Sequence, residues 1–310
     1  MTVEAILIAG PTASGKSALA LALARRLDGV VINADSMQVY SDLRVITARP
    51  SDEDERQAPH ALYGVVDGAE NFSVSRWLAA VADALAAAKA AGQMPILVGG
   101  TGLYFKALTQ GLSDIPAVPA EVRAEVRGWA AGLAPAALHA ALAERDPATA
   151  ARLRPTDPQR LLRALEVHAA TGGSLASWQA NRRPPLLDAA RCVAVFLAPE
   201  REALRAQIDV RFDAMMAQGA LDEVFALSRR GLDPALPVMR AHGVPPLLQY
   251  LAGTSDLATA VATGKADTRR YIKRQATFAR HQLPSFAWVL PDEAEANVLA
   301  ALDRAPPQSS

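Results

Sequence analysis

The sequence predicts an α/β fold, a parallel sheet covered by helices on both faces, and three observations carry the prediction. Short apolar runs alternate with helical segments through the first hundred residues. The runs, such as Ala5-Ile6-Leu7-Ile8-Ala9, lack the in–out alternation of a strand with one wet face. A glycine-rich loop, Gly10-Pro11-Thr12-Ala13-Ser14-Gly15-Lys16-Ser17, joins the first run to the first helix.

Residues 5–9 form the first strand, and the Ala/Leu-rich residues 17–27 the first helix. Residues 30–33 are the second strand and 61–66 a third. Residues 75–91 are a long helix ended by Gly92, with alanines suited to close packing on a sheet. Residues 95–98 are the fourth strand, closed by Gly99-Gly100. From 115 to 185 the chain is helical and punctuated by prolines and Gly172-Gly173, with no strand-like run. Strand character returns at 192–197, helices run from 201 to 281, and 286–290 is a last short strand. The expected organisation is a core of 1–114 plus 186–292, a helical insertion at 115–185, and a C-terminal tail at 293–310 whose end, 305–310, is disordered.

Composition excludes several classes. The 310 residues carry 32 basic and 32 acidic side chains, so only local clustering can argue for nucleic acid. One cysteine, Cys192, cannot form an internal disulfide and is expected to pack in its strand; the five histidines show no zinc spacing. Glu4 interrupts the N-terminus before any signal-like run, and no apolar stretch approaches a membrane span. A soluble, cytoplasmic protein is expected, and a monomer, because no heptad seam stands out.

The loop states a chemistry. It matches the phosphate-binding pattern G-x-x-x-x-G-K-[ST] with a strand before it and a helix after it. Gly10 and Gly15 let backbone N–H groups face one point, Lys16 adds positive charge, and the Ser17 hydroxyl is placed to touch magnesium. Gly10 to Ser17 is therefore the expected diphosphate or nucleotide seat, on a P-loop NTPase-like sheet. Ligands of such sheets gather at the carboxyl ends of the strands, which puts the loop, Asp35 and Thr101 on one rim. A hydrolysing ATPase of this class carries an Asp at the end of another strand. Here 95–98 ends in Gly-Gly-Thr, and the nearest acidic residue is Asp35. Asp35 reads as a base or metal ligand on one view, a turn cap on the other. Thr101 reads first as a helix N-cap, second as a hydroxyl aimed at a ligand. Basic clusters at Arg160/Arg163 and at Arg269–Arg274 around Tyr271 are solvated faces or phosphate contacts.

Five motifs occur in one order: the loop itself, Asn33-Ala-Asp-Ser-Met-Gln-Val-Tyr40, Thr47-Ala-Arg-Pro50, Val98-Gly-Gly-Thr-Gly-Leu-Tyr104 and Asp157-Pro-Gln-Arg-Leu-Leu-Arg-Ala-Leu-Glu166. In these the chain closely resembles the tRNA dimethylallyltransferases, from about Val3 to Trp288. The resemblance implies transfer of a five-carbon group from dimethylallyl diphosphate to N6 of adenosine 37, with diphosphate leaving and Mg2+ beside Ser17. It implies Asp35 as the base, with Thr101 and Arg211 assisting at the diphosphate. It implies tRNA contacts from Asp35, Ser36, Met37, Gln38, Thr101, Arg123, Gln159, Arg160, Leu161, Leu162 and Arg163, with the insertion gripping the anticodon stem-loop and the target base turned out of its stack.

The chain departs from the family pattern at Ile46, where Gly is common, and at Arg49, where Lys is usual. Val244-Pro245 and Phe278-Ala279 also depart. Two other readings remain: a P-loop kinase for a small acceptor, which would consume ATP, and a non-catalytic tRNA-binding protein with a relict loop.

Overall fold

The structure is a computed structural model and describes residues 3–304. Six parallel strands form one sheet: β1 (Ala5–Ala9), β2 (Gly29–Asn33), β3 (His60–Ala61), β4 (Met94–Gly99), β5 (Cys192–Leu197) and β6 (Ala287–Val289), in the order β3-β2-β4-β1-β5-β6. Successive residues of β1 feed opposite faces. Ala5, Leu7 and Ala9 pack with Trp77, Tyr104 and Phe105 on one side; Ile6 and Ile8 pack with Leu19, Leu23, Ala294 and Val298 on the other. Both faces are dry, which explains why the sequence shows apolar runs without alternation.

Helices α1 (Lys16–Leu27), α3 (Val74–Ala90) and α4 (Gly102–Gln110) cover the sheet, and the short α2 (Asp52–Gln57), which buries no side chain, lies beside α1. The third strand is shorter than 61–66. Leu62 and Gly64 have positive φ, 65° and 62°, which breaks the extended run after Ala61, and Val66 makes only an isolated bridge to Tyr40. Helix α2 was not foreseen, although Ser51 and Asp54 form a capping box at its start.

Residues 111–185 form a compact unit of their own, so the insertion begins four residues before the expected 115. A Cβ at Gly111, whose φ is +75°, would overlap the Arg183 carbonyl. The unit contains α5 (Ala120–Ala130), α6 (Pro135–Arg145), α7 (Pro147–Ala150), α8 (Pro158–Thr171) and α9 (Leu175–Ala180). Leu138, Leu142, Leu161, Ala164, Leu165 and Val167 form its core. Asp146 pins two helix starts there. Its carboxylate, 2% exposed, accepts from Thr149 N at 3.0 Å, Ser174 Oγ at 2.7 Å and Leu175 N at 3.0 Å.

In the sheet-bearing unit α10 (Arg201–Ala217), α11 (Ala220–Ser228), α12 (Val244–Leu251) and α13 (Leu257–Gln282) follow β5. Their apolar faces join Val39, Tyr40, Leu43 and Ile46 in a third core. Pro245 and Pro246 sit in the first turn of α12, where missing N–H groups cost nothing, so this departure is compatible with the helix. The expected tail at 293–310 is corrected in part. Helix α14 (Ala294–Asp303) buries Ala294 and Val298 against the sheet, while 305–310 lie outside the described residues. Cys192 starts β5 half-buried, and burial pushes its thiol up to about 12, so it is inert at neutral pH. Among the described residues no helix is long and apolar enough to cross a membrane.

Burial alone would raise the Asp146 carboxyl, but the bonds from Thr149, Ser174 and Leu175 outweigh it and hold the group below its ordinary range. The ionised form is therefore favoured on folding. Its stabilisation is complete above about pH 4 and is lost as pH falls through the lowered folded value. Asp146→Asn is expected to cost the helical unit about 1–3 kcal/mol at pH 7. Amide hydrogen exchange of α6–α9 checks this, and the difference from the parent chain should shrink below about pH 4.

Candidate functional site

The site is built where the carboxyl ends of β1, β2 and β4 meet. Asn33, the last residue of β2, is fully buried and polar, and it shapes the turn that follows. Its Oδ1 accepts from Asp35 N at 2.8 Å, and its Nδ2 donates to the carbonyls of Asp35 at 2.9 Å and Leu62 at 3.1 Å. Trp77 Nε1 donates to the Asn33 carbonyl at 2.9 Å. Asp35 Oδ1 then accepts from Met37 N at 2.9 Å, which fixes the carboxylate at the rim.

Close approach of β4 completes the turn. A Cβ at Gly99 would overlap the Ala34 carbonyl, and one at Gly100 would overlap the Gln275 amide and stand 3.2 Å from Asp35 Oδ2. Side chains are therefore excluded at the strand end, where an ATPase would carry its acidic residue. Thr101 precedes α4 as a cap would, but its hydroxyl bonds across the rim. It accepts from Ser36 N at 2.9 Å and donates to Ser36 Oγ at 3.2 Å. Thr101 thus ties α4 to the Asp35 turn.

The phosphate loop lies on the same rim. Ala13 and Gly15 have φ of 62° and 83°, the left-handed turns that curl its backbone. Lys16 Nζ donates to the Pro11 carbonyl at 3.0 Å. Burial, and then Arg211, push the Lys16 ammonium down to about 8 against the opposing pull of Asp35. Burial likewise lowers Arg211, again against Asp35. Among the described residues Arg211 Nε and Ser14 Oγ are buried with no hydrogen-bond partner. Two cations and an orphaned hydroxyl, faced by one carboxylate, make a seat short of negative charge. A diphosphate supplies that charge and those acceptors.

Beside the seat is a cavity of about 230 Å³. Asp35, Thr12 and Arg211 line it together with apolar Met37, Ile46, Ile208, Phe212 and Met215, and with His242 and Tyr271. Burial lowers His242, helped by Arg274. Its ring lies 4.3 Å from the Tyr271 ring at 41°. Gly243 leaves room for this wall: with φ of +93°, a Cβ there would stand 2.9 Å from Ile46 Cδ1. Ile46 therefore fills space against Gly243 and narrows the cavity. This arrangement can hold an anionic leaving group, a short apolar chain, and a base on its attacking partner.

The IPP transferase family model matches residues 38–282, and the Isopentenyl transferase model matches residues 3–63. The chain belongs to the IPP transferase family. It is 64% identical over 296 residues to a tRNA dimethylallyltransferase of Methylocella silvestris, covering 96% of this chain and 98% of that protein. It is 62% identical over 300 residues to one of Beijerinckia indica, covering 97% of this chain and 99% of that protein. Its structure matches the tRNA isopentenylpyrophosphate transferase of Bacillus halodurans with a TM-score of 0.68 at 33% identity, over 96% of each chain. It matches a eukaryotic dimethylallyltransferase acting on tRNA with a TM-score of 0.80 at 26% identity, over 98% of this chain and 81% of that one.

Within this IPP transferase, the structure gathers the loop, Asp35, Ser36, Met37, Thr101 and Arg211 in the sheet-bearing unit. Gln38 serves the fold there: its Nε2 donates to the Thr47 and Ala48 carbonyls, each at 2.9 Å. Arg123 and residues 159–163 lie in the helical unit. Gln159 and Arg160 are exposed, and Arg123 and Arg163 half-buried. The Leu161 side chain is fully buried in the core of that unit, because α8 turns it inward beside Ala164 and Leu165. Leu162 is half-buried against the same core. Helix α13 pairs much of its charge, Arg269 with Asp209, Arg270 with Asp267 and Lys265 with Asp213. Sequence reasoning gave no role to Asn33, His242 or Gln275, and read Tyr271 as the aromatic of a basic cluster. Asn33 had a signal, an amide ending an apolar strand; the others had none that separates them from an ordinary helix face.

Removing one cation from an under-neutralised seat weakens anion binding. Lys16→Ala is expected to raise the Kd for inorganic diphosphate at least about tenfold, the equivalent of about 1.4 kcal/mol. Titration calorimetry checks this, and unchanged affinity would remove the loop from the anion site.

Proposed function

We propose that this chain transfers the dimethylallyl group of dimethylallyl diphosphate to N6 of adenosine 37 in tRNA, releasing diphosphate. The observation that carries the reading is a charge-deficient cationic seat and a lone carboxylate sharing one cavity with apolar walls. The names of the most similar relatives support the substrate. The bond from N6 to the allylic carbon forms as the bond from that carbon to the diphosphate oxygen breaks. Asp35 takes the N6 proton, and the backbone N–H groups of the loop, Lys16 and Arg211 receive the charge that gathers on the leaving group. Met37, Ile46, Ile208, Phe212 and Met215 seat the five-carbon chain and exclude water. Thr101 supports the chemistry by holding Ser36 and the Asp35 turn.

A magnesium ion fits this seat. Ser17 is exposed at the first turn of α1 and offers a hard oxygen donor. The described residues hold no group of three or more His, Cys, Asp or Glu able to cage a metal, so Mg2+ would take its other ligands from diphosphate and water. When bound, it would neutralise part of the leaving group's charge.

Arg123, Gln159, Arg160 and Arg163 of the helical unit are the proposed contacts to the tRNA anticodon stem-loop, through its phosphates. The target base would leave its stack to reach Asp35. Such a substrate places the enzyme in the cytoplasm. A kinase fits less well, since the end of β4 has no room for an acidic side chain.

Purified protein with magnesium, radiolabelled dimethylallyl diphosphate and unmodified tRNA bearing adenosines 36 and 37 is expected to put label on adenosine 37. Asp35→Ala should slow that transfer by about 10²–10⁴-fold while tRNA affinity stays within about twofold. ATP consumption without label would favour the kinase instead.

A further inference from the structure

The nucleophile in the proposed reaction is an exocyclic amine with two N–H groups. Asp35 accepts one. In a cavity that excludes water the second also needs an acceptor, or its desolvation goes uncompensated. Arginine cannot supply one, since a guanidinium only donates. The acceptor must be a neutral group with a free lone pair close to Asp35.

Two residues one turn apart on α13 meet this need. Tyr271 lines the cavity, and its hydroxyl neighbours Thr101 and Gln275. Gln275 is 7% exposed, and its Nε2 donates to the Gly100 carbonyl at 2.9 Å. Its Oε1 is buried and has no partner. Gly100 lacks a Cβ where this amide lies, so the amide is locked against the rim that carries Asp35. An orphaned carbonyl oxygen beside a phenol of the same helix calls for the phenolic proton. A hydroxyl has one proton and two lone pairs, so a phenol that donates to Gln275 turns its lone pairs to the cavity. Burial, with Asp35 close by, raises Tyr271 well above its ordinary range and keeps that proton in place.

We propose that Tyr271 is a further substrate-binding residue, accepting the second N6–H of the target adenine, and that Gln275 positions it by accepting the phenolic proton. With the adenine bound, the chain would run from the amine to Tyr271 Oη and from Tyr271 to Gln275 Oε1, extending the bond that Gln275 Nε2 already makes to the Gly100 carbonyl. It holds the nitrogen lone pair towards the allylic carbon while Asp35 takes the other proton. No proton leaves Tyr271, so the phenol is a fixed acceptor and not a second base. The inference rests on the prenyl-transfer reading.

The test is steady-state kinetics of the full chain with labelled dimethylallyl diphosphate and unmodified tRNA. Tyr271→Phe keeps the ring and its contact with His242. It is expected to lower kcat about tenfold while KM for dimethylallyl diphosphate stays within about twofold and the thermal midpoint is unchanged. Gln275→Met should lower kcat several-fold, and the double variant should be no slower than Tyr271→Phe, because the two act as one unit. Wild-type kcat in Tyr271→Phe, or losses that multiply in the double variant, overturns the inference alone. A wild-type chain that labels no tRNA overturns the prenyl-transfer reading as well.

Discussion

Lys16 and Arg211, both half-buried, share one rim with the carboxylate of Asp35, and the rest of the site is arranged around that imbalance of charge. Burying two cations is unfavourable unless negative charge arrives, and the unpartnered donors Arg211 Nε and Ser14 Oγ have the same need. The protein therefore gathers more positive charge and more donors at this rim than its own acidic residues there balance. A leaving group that gains charge as its bond breaks suits such a rim better at the end of the reaction than at the start. Differential stabilisation of this kind lowers a barrier.

The carboxylate must keep its place while lying close to two cations. It does so through backbone geometry. Asn33 closes the turn from both sides, Trp77 anchors the Asn33 carbonyl, and Thr101 ties in Ser36 from the neighbouring strand end. Gly99 and Gly100 allow the two strand ends to approach this closely. Their lack of side chains has a second effect, since it removes the position from which an ATPase holds its metal. One packing requirement thus shapes the Asp35 turn and leaves no room for an acidic side chain at the end of β4.

The apolar wall shows how family departures are absorbed. Ile46 and Gly243 form a pair: the larger side chain at 46 occupies space that the missing side chain at 243 leaves free. Pro245 and Pro246 fall where α12 has no N–H to lose. Arg49 donates to the Tyr40 carbonyl at 3.2 Å, a role that its charge does not require. Of these positions Ile46 lines the cavity, while Arg49, Pro245 and Pro246 lie outside its lining.

Much of this was legible in the sequence. The loop from Gly10 to Ser17 declares itself through spacing, because the curl, the charge and the hydroxyl come from consecutive residues. The sheet declares itself through apolar runs, since a strand buried on both faces needs apolar side chains throughout. Local breaks were less visible. The third strand stops at Ala61 because Leu62 and Gly64 take positive φ, and α14 reads as a tail until the sheet offers it a face. What only tertiary structure decided was the company each residue keeps. Thr101 caps a helix by spacing, yet it bonds to a turn 65 positions away. Leu161 sits between two arginines in sequence, yet the turn of α8 buries it. Gln275 and Tyr271 look like any face of a charged helix until β4 brings Gly100 beneath them. Sequence by itself determines what is built from neighbours along the chain, the glycine-rich loop and the strands. Long-range packing determines which hydroxyl, amide and carboxylate meet, because their partners lie tens to hundreds of residues away and no local pattern records them.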